Sequence, residues 1–238
     1  MRRVNHSFGA RKALDDVSLD VEAGSFTALL GVNGAGKTTL FNLITRLYAN
    51  RAGTIEVCGT DMRDDPGSAL ARLGVVFQSR AIDPNLTVAQ NFAYQGALHA
   101  IPSREARARG EALLDRWGLA ERMPDRVRAL SGGQARRAEI AGALIHRPRV
   151  LLCDEATAGL DVSARQAIVD DIHALANDTG VGVLWATHLI DEIAPDDHVV
   201  MLHEGRVLAQ GVASAIAGAR KLADMFLEMT GQSKAGAA

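Results

Sequence analysis

A chain of 238 residues, 47% hydrophobic and 23% charged, can bury one sizeable core and has the composition of an ordinary globular protein. Its formal net charge of −2, with no long Lys/Arg run, argues against electrostatic binding to nucleic acid or anionic lipid. No signal peptide is visible and no apolar stretch approaches a membrane span, so any membrane role is expected to come through a partner.

Residues 1–8 hold a few residues of a first strand, and 9–11 read as a turn. Val17, Leu19 and Val21 alternate with Ser18, Asp20 and Glu22, which predicts a half-exposed antiparallel strand. Ala23-Gly24 then turns the chain into the apolar run Phe26–Leu30, suited to a strand covered on both faces. Residues 53–57 read as another alternating strand followed by a turn at 59–61, and 74–77 as a short buried strand ending at Gln78. From 79 to about 130 strand signals vanish. Two helical patterns replace them, 88–100 and one from Ser103 to about 117. Arg104, Arg107, Arg109 and Glu111 share one side of the second; a solvated face is the simpler reading, a partner surface the alternative.

The α/β alternation resumes with a helix over 131–146, ended by Pro148. A buried strand follows at 150–153, a helix at 163–178, another buried strand at 181–186, and a hairpin of 198–202 with 206–209 through Glu204-Gly205. The tail, 213–229, is helical in pattern, and 233–238 is small, polar and expected to fray. Cys58 and Cys153 fall in predicted strands; buried free thiols are expected, with a disulfide left open. The alternation predicts an α/β fold with a mainly parallel sheet, an N-terminal antiparallel β subdomain and a helical insertion, and the glycine-rich turn GVNGAGKT at 31–38, between a strand and a helix, makes it a phosphate-loop NTPase core. Within one domain, 1–78 and 147–212 form the core, 79–146 the helical subdomain and 213–238 the tail.

Three stretches carry chemistry. Gly31-Val32-Asn33-Gly34-Ala35-Gly36-Lys37-Thr38 lies between an apolar strand and an amphipathic run. Glycines there let backbone N–H groups point inward around phosphates, helped by the helix N-terminus. Lys37 would reach the terminal phosphates, and Thr38 would offer its hydroxyl to Mg²⁺. Second, the strand at 150–153 runs into two carboxylates. Neighbours on a strand point to opposite sides, so Asp154 is placed to support Mg²⁺ and Glu155 to orient or deprotonate a water. Third, Ser131 and Gln134 fit a helix capping box, yet Gly132 and Gly133 each cost up to about 1 kcal/mol there relative to alanine. A helix start that must lie against a phosphate explains them.

The order GVNGAGKTT, VVFQ, LSGGQ, VLLCDEAT, AGLD and WATH resembles the ATP-binding subunit of an ATP-binding-cassette (ABC) transporter over nearly the whole chain. The resemblance implies ATP and Mg²⁺ as ligands and a head-to-tail dimer of two copies. Each ATP would lie between the phosphate loop of one copy (Asn33, Gly34, Ala35, Gly36, Lys37, Thr38 and Thr39) and the Ser131–Gln134 tip of the other, with Ser131 and Gly133 touching the γ-phosphate. Gln78 would sense Mg²⁺ or the attacking water, and His188 would hold the γ-phosphate and help fix Glu155. Asp161 would lie at the subunit interface or serve as a helix cap. Phe8 would stack on adenine or belong to the core. Ala156, where many members have proline, and Ala158-Gly159 depart from the pattern without removing a catalytic group. Members also usually carry residues before the stretch matching 4–8, which implies that this chain starts late and puts the role of Phe8 in question.

Residues 81–88 and 224–231 resemble the branch exporting drugs, polysaccharides and lipid-like compounds, and more loosely ATPases accompanying pyrroloquinoline-quinone-dependent alcohol oxidation. That branch implies a separately encoded membrane permease and a cytoplasmic position, peripheral on the inner face of the membrane. The alternative is an ABC-type ATPase acting on a soluble, non-transport assembly. A regulator without turnover would need a damaged Glu155 or His188, and a kinase would leave LSGGQ unexplained.

Overall fold

Residues 1–231 are described by a computed structural model; the expected frayed end at 233–238 lies outside them. Strand β1 (Arg2–Phe8) is seven residues long, more than the few expected, and pairs antiparallel with β2 (Arg11–Val17). The alternation of Val17, Leu19 and Val21 therefore places the second strand too late. Asp16, with φ of 56°, bends the chain, and beyond Val17 only Leu19 continues the pairing, exchanging backbone hydrogen bonds with Met1. Both Val17 and Leu19 stay buried, so the apolar period survives while the strand does not.

Strand β3 (Phe26–Leu30) is buried at every residue, as expected of a strand covered on both faces. It leads through the phosphate loop into helix α1 (Lys37–Ile44). The strand expected at 53–57 is broken: β4 (Ala52–Thr54) pairs with β1, whereas β5 (Glu56–Val57) pairs with β6 (Thr60–Asp61). Cys58 sits exposed in the turn between them, at φ 49°, contrary to the buried-strand expectation; Cys153 is buried, and both thiols are free. Helix α2 (Pro66–Leu70) was not anticipated, although Pro66 at its start and the Asp65 carboxylate accepting from Ser68 N (3.0 Å) are ordinary helix-start signals.

After β7 (Leu73–Val76) come α3 (Val88–Leu98), α4 (Ser103–Asp115) and α5 (Gly132–Leu144), which enclose their own apolar cluster around Phe92, Leu114, Ala138 and Ile145. Gly110 lies flat against the Phe92 ring, where a Cβ would come within 2.1 Å, and this absence of a side chain lets α3 and α4 pack closely. The remaining elements are β8 (Val150–Asp154), α6 (Val162–Thr179), β9 (Gly182–Thr187), β10 (His198–His203) and β11 (Arg206–Val212). The helical tail is split into α7 (Ala213–Ala217) and α8 (Leu222–Met229) by Gly218, whose φ of 57° ends the first.

The main sheet has the order β11-β10-β3-β9-β8-β7, parallel throughout except for β11. One apolar layer packs α6 and Trp185 on one face, and a second packs α1 and the β1–β2 hairpin on the other. Strands β3, β9, β8 and β7 are neighbours running the same way, so the residues just beyond their C-terminal ends share one edge.

Helix α6 is also pinned by an ionisable contact. The His173 ring stacks on Phe26 (centroids 4.0 Å), its Nε2 lies 2.8 Å from Asp197 Oδ1, and its Nδ1 lies 2.8 Å from the Val169 carbonyl. Burial lowers the imidazole pKa, but the hydrogen bond and charge of Asp197, the Val169 carbonyl and the charge of Asp170 outweigh it, so the net shift is upward from 6.5. A raised folded-state pKa stabilises the protonated fold fully below 6.5, and that contribution is lost as pH rises through the shifted value. Denaturant midpoints measured across this window should fall with pH in the parent and lose that component in His173→Gln. A slope unchanged by the substitution would remove His173 from the linkage.

Candidate active site

The phosphate loop is held open by steric demands on its glycines. Gly36, at φ 114°, begins α1, and a Cβ there would sit 2.9 Å from both the Ala13 carbonyl and Leu14 Cδ2. Ala35 is buried: its N–H bonds to the Val32 carbonyl (3.1 Å), and its own carbonyl accepts from Gly205 N (2.9 Å) in the β10–β11 turn. Its N–H is thus used within the loop, whereas Gly34, at φ 83°, has open space on its side-chain face.

Lys37 is 5% exposed. Its ammonium donates to the carbonyls of Gly31 (2.7 Å) and Val32 (3.3 Å) and lies 3.3 Å from Glu155 Oε1. Glu155 follows the end of β8 in a left-handed conformation (φ 47°), with its N–H on the Ala186 carbonyl at 3.0 Å. Two further groups reach the same carboxylate. His188, just beyond β9, places Nδ1 3.3 Å from Oε1, and Gln78, just beyond β7, donates from Nε2 to Oε2 at 3.3 Å. The structure thus gathers Lys37, Gln78, Glu155 and His188, 151 positions apart at most in sequence, because their strands are adjacent in the sheet.

Asp154, the last residue of β8, meets a different partner, Thr38. It is 4% exposed; burial pushes its carboxyl pKa up and Glu155 adds to this, while a hydrogen bond with Thr38 and the Lys37 charge oppose the rise. Its Oδ1 is buried without a hydrogen-bond partner. An orphaned carboxylate oxygen beside a threonine hydroxyl fits a hard divalent cation, so these residues suit Mg²⁺.

A cleft of about 730 Å³ runs from Phe8 past Asn33, Gly34, Thr38 and Thr39 to Gln78 and Glu155. Phe8 is 48% exposed at its mouth, edge-on to His6 and Tyr48, which stack on each other at 5.5 Å. Arg11 and Lys12 also line the cleft. Arg11 and Lys12, and the rings of His6 and Tyr48 that back Phe8, carry no local signal in the sequence; the two cations reach the cleft through the pairing of β1 with β2. A larger cavity of about 1030 Å³ lies at the other ends of the strands, walled by Asp20, Glu22, Asp170, Asp191, Asp196 and Asp197. Its carboxylates would repel a polyphosphate, which leaves the phosphate-loop cleft as the candidate site.

Ser131, Gly133 and Gln134 are not among the residues that line the cleft. The capping box is made: Ser131 Oγ accepts from Gln134 N (3.3 Å), and Gln134 Oε1 from Ser131 N (3.0 Å). Asp161 caps α6, its carboxylate accepting from Ala164 N at 2.9 Å. Among the described residues no helix is long and apolar enough to cross a membrane.

A sequence model described as "ABC transporter" matches residues 14–158. The chain is 39% identical over 210 residues to "Daunorubicin resistance ATP-binding protein DrrA3" of Streptomyces coeruleorubidus, covering 88% of this chain and 66% of that protein. It is 40% identical over 206 residues to "Energy-coupling factor transporter ATP-binding protein EcfA1" of Symbiobacterium thermophilum, covering 84% and 71% respectively. A solved structure described as "Structure of ATP binding subunit of ABC transporter" superposes with a TM-score of 0.82 at 26% identity, over 96% of this chain and 98% of that one. The match spans the phosphate loop and both carboxylates, and the likeness extends along most of the chain: it belongs to the ABC transporter family, as an ATP-binding, ATPase subunit.

Proposed function

We propose that this subunit hydrolyses MgATP at sites shared between two copies, head to tail, and so drives a separately encoded permease working as an exporter. The observation that supports the shared site is that Lys37 and Glu155 line the cleft while Ser131, Gly133 and Gln134 of the same copy do not. A second copy supplies that missing wall, presenting the Ser131–Gln134 tip and the α5 N-terminus to the γ-phosphate. Asp161 is exposed, and its neighbours Leu160 and Ala164 face Gly132 and Gly133, so in this reading it falls at the same interface.

In this reading the backbone of 33–36 cradles the phosphates, Lys37 neutralises the terminal ones, and Phe8 packs on the base. Thr38 and Asp154 would hold Mg²⁺, with Gln78 at its edge. The metal supplies charge neutralisation at the β- and γ-phosphates. Glu155 accepts the proton of the attacking water, Gln78 orients that water, and His188 steadies both Glu155 and the γ-phosphate. Closure of the dimer stores the binding energy that moves the permease, provided ATP binds the closed state more tightly.

Export is supported by the resistance role printed for the daunorubicin relative, since expulsion of a toxic compound confers resistance. The energy-coupling-factor relative carries no such pointer. The resemblance to ATPases of pyrroloquinoline-quinone-dependent oxidation has no counterpart in these names, and the reading does not rest on it. A permease partner places the chain in the cytoplasm, peripheral on the inner membrane face.

Mixing two inactive variants tests the shared site. Lys37→Ala and Ser131→Arg copies each lose both sites as homodimers, but a mixed dimer keeps one site intact. An equimolar mixture should therefore regain about a quarter of parental ATPase activity, since half the dimers are mixed and each has one good site of two. A mixture as inactive as its components would overturn the shared site.

A further inference from the structure

Two residues on α5 form a buried ion pair that no step above uses. Arg136 and Glu139 are 3% and 7% exposed, with Nη1 and Oε2 2.8 Å apart. Each also reaches the segment carrying Gln78. Arg136 donates to the carbonyls of Phe77 (2.9 Å) and Gln78 (3.0 Å), and Glu139 Oε1 accepts from Ala81 N at 2.6 Å. Arg80 completes the stitching from the other side, donating to the Gly132 carbonyl at 3.2 Å in the first turn of α5.

A pair of buried charges is a poor means of stabilising a helix, because apolar residues of similar volume often do as well or better. Its advantage is direction. A guanidinium fixes two carbonyls through a planar fork, and a carboxylate oxygen fixes one amide. Burial pushes the Glu139 carboxyl pKa up, against the pull of the Ala81 N–H and the Arg136 charge. All of this directional bonding falls on the backbone around Gln78, whose side chain meets Glu155.

We propose that Arg136 and Glu139 are positioning residues that lock the Gln78 segment to α5, so that the Ser131 tip and the Gln78 amide move as one body. Contact of a second copy with the Ser131 tip is then transmitted through one rigid clamp to the Glu155 carboxylate. Without the clamp, Gln78 would move independently of α5, and closure of the dimer would not set the water-activating group. The proposal rests on the catalytic reading of Glu155 given above.

Glu139→Ala and Glu139→Gln in the full chain test it, with MgATP turnover and amide hydrogen exchange as separate readouts. Removing the acceptor should speed exchange at Ala81 by about tenfold or more while β8 and α1 keep their protection. It should also lower kcat about tenfold with KM for ATP within about twofold, because the phosphate loop is untouched. Glutamine restores an acceptor for Ala81 N–H, so exchange should return toward the parental rate and kcat should recover in part. A folded Glu139→Ala protein with parental Ala81 exchange, or with parental kcat, overturns the clamp. If Glu139→Ala does not fold, Arg136→Lys decides: it keeps the charge but cannot span both carbonyls, and parental kcat in that variant overturns the proposal equally. Absence of ATP turnover in the parent would count against the catalytic reading alone, and Ala81 exchange would still decide the clamp.

Discussion

Glu155→Gln is expected to abolish steady-state ATP hydrolysis while ATP-bound dimers accumulate. Glutamine keeps the shape of the side chain and loses the charge on which Lys37, His188 and Gln78 converge, each at 3.3 Å. An amide cannot take the proton of an attacking water, so the loss should be about 10²- to 10⁴-fold, the usual contribution of a positioned general base. Binding depends instead on the loop and Lys37, which the substitution leaves in place. Size-exclusion chromatography with MgATP should therefore show a dimer that persists, where the parent shows one that turns over and dissociates. Undiminished turnover would remove Glu155 from its role.

Lys37→Ala is expected to fail at the preceding step. Its buried ammonium satisfies two loop carbonyls and faces the Glu155 carboxylate, so removal leaves a negative charge and two acceptors around the space where phosphates must sit. A lost charge-assisted hydrogen bond is worth about 1.5–3 kcal/mol, hence ATP affinity should fall by about 10- to 150-fold. Calorimetric titration with MgATP distinguishes the two variants: Glu155→Gln should bind as the parent does, and Lys37→Ala should not. Equal affinity in Lys37→Ala would contradict the phosphate-loop assignment.

The parts of this fold that were legible in the sequence are those written in local patterns. The run Phe26–Leu30 into glycines, the strand ending in Asp154 and Glu155, and the capped start of α5 each announce themselves within about a dozen residues. Patterns failed where a single backbone bend decides. The bend at Asp16 turns the chain at the end of β2 while its apolar period runs on, the alternating run 53–57 divides at Ile55 between two separate pairings, and Gly218 divides a helical tail. In the site, adjacent positions such as Lys37 and Thr38 could be placed from spacing, whereas Tyr48 and His6 could not, because their stacking exists only after distant strands pair. The Arg136–Glu139 pair is visible as a helical i,i+3 spacing, but its bonds to residues 77–81 depend on how α5 packs beside β7.

The bond from Gly205 to the Ala35 carbonyl means that nucleotide meets a receptor already in shape. A loop splinted by a neighbouring hairpin need not order itself around an arriving ligand, so association should proceed at the rate of encounter, without a slow isomerisation. Discrimination among bases would then fall to the rim at Phe8, whose ring stands half exposed against His6 and Tyr48.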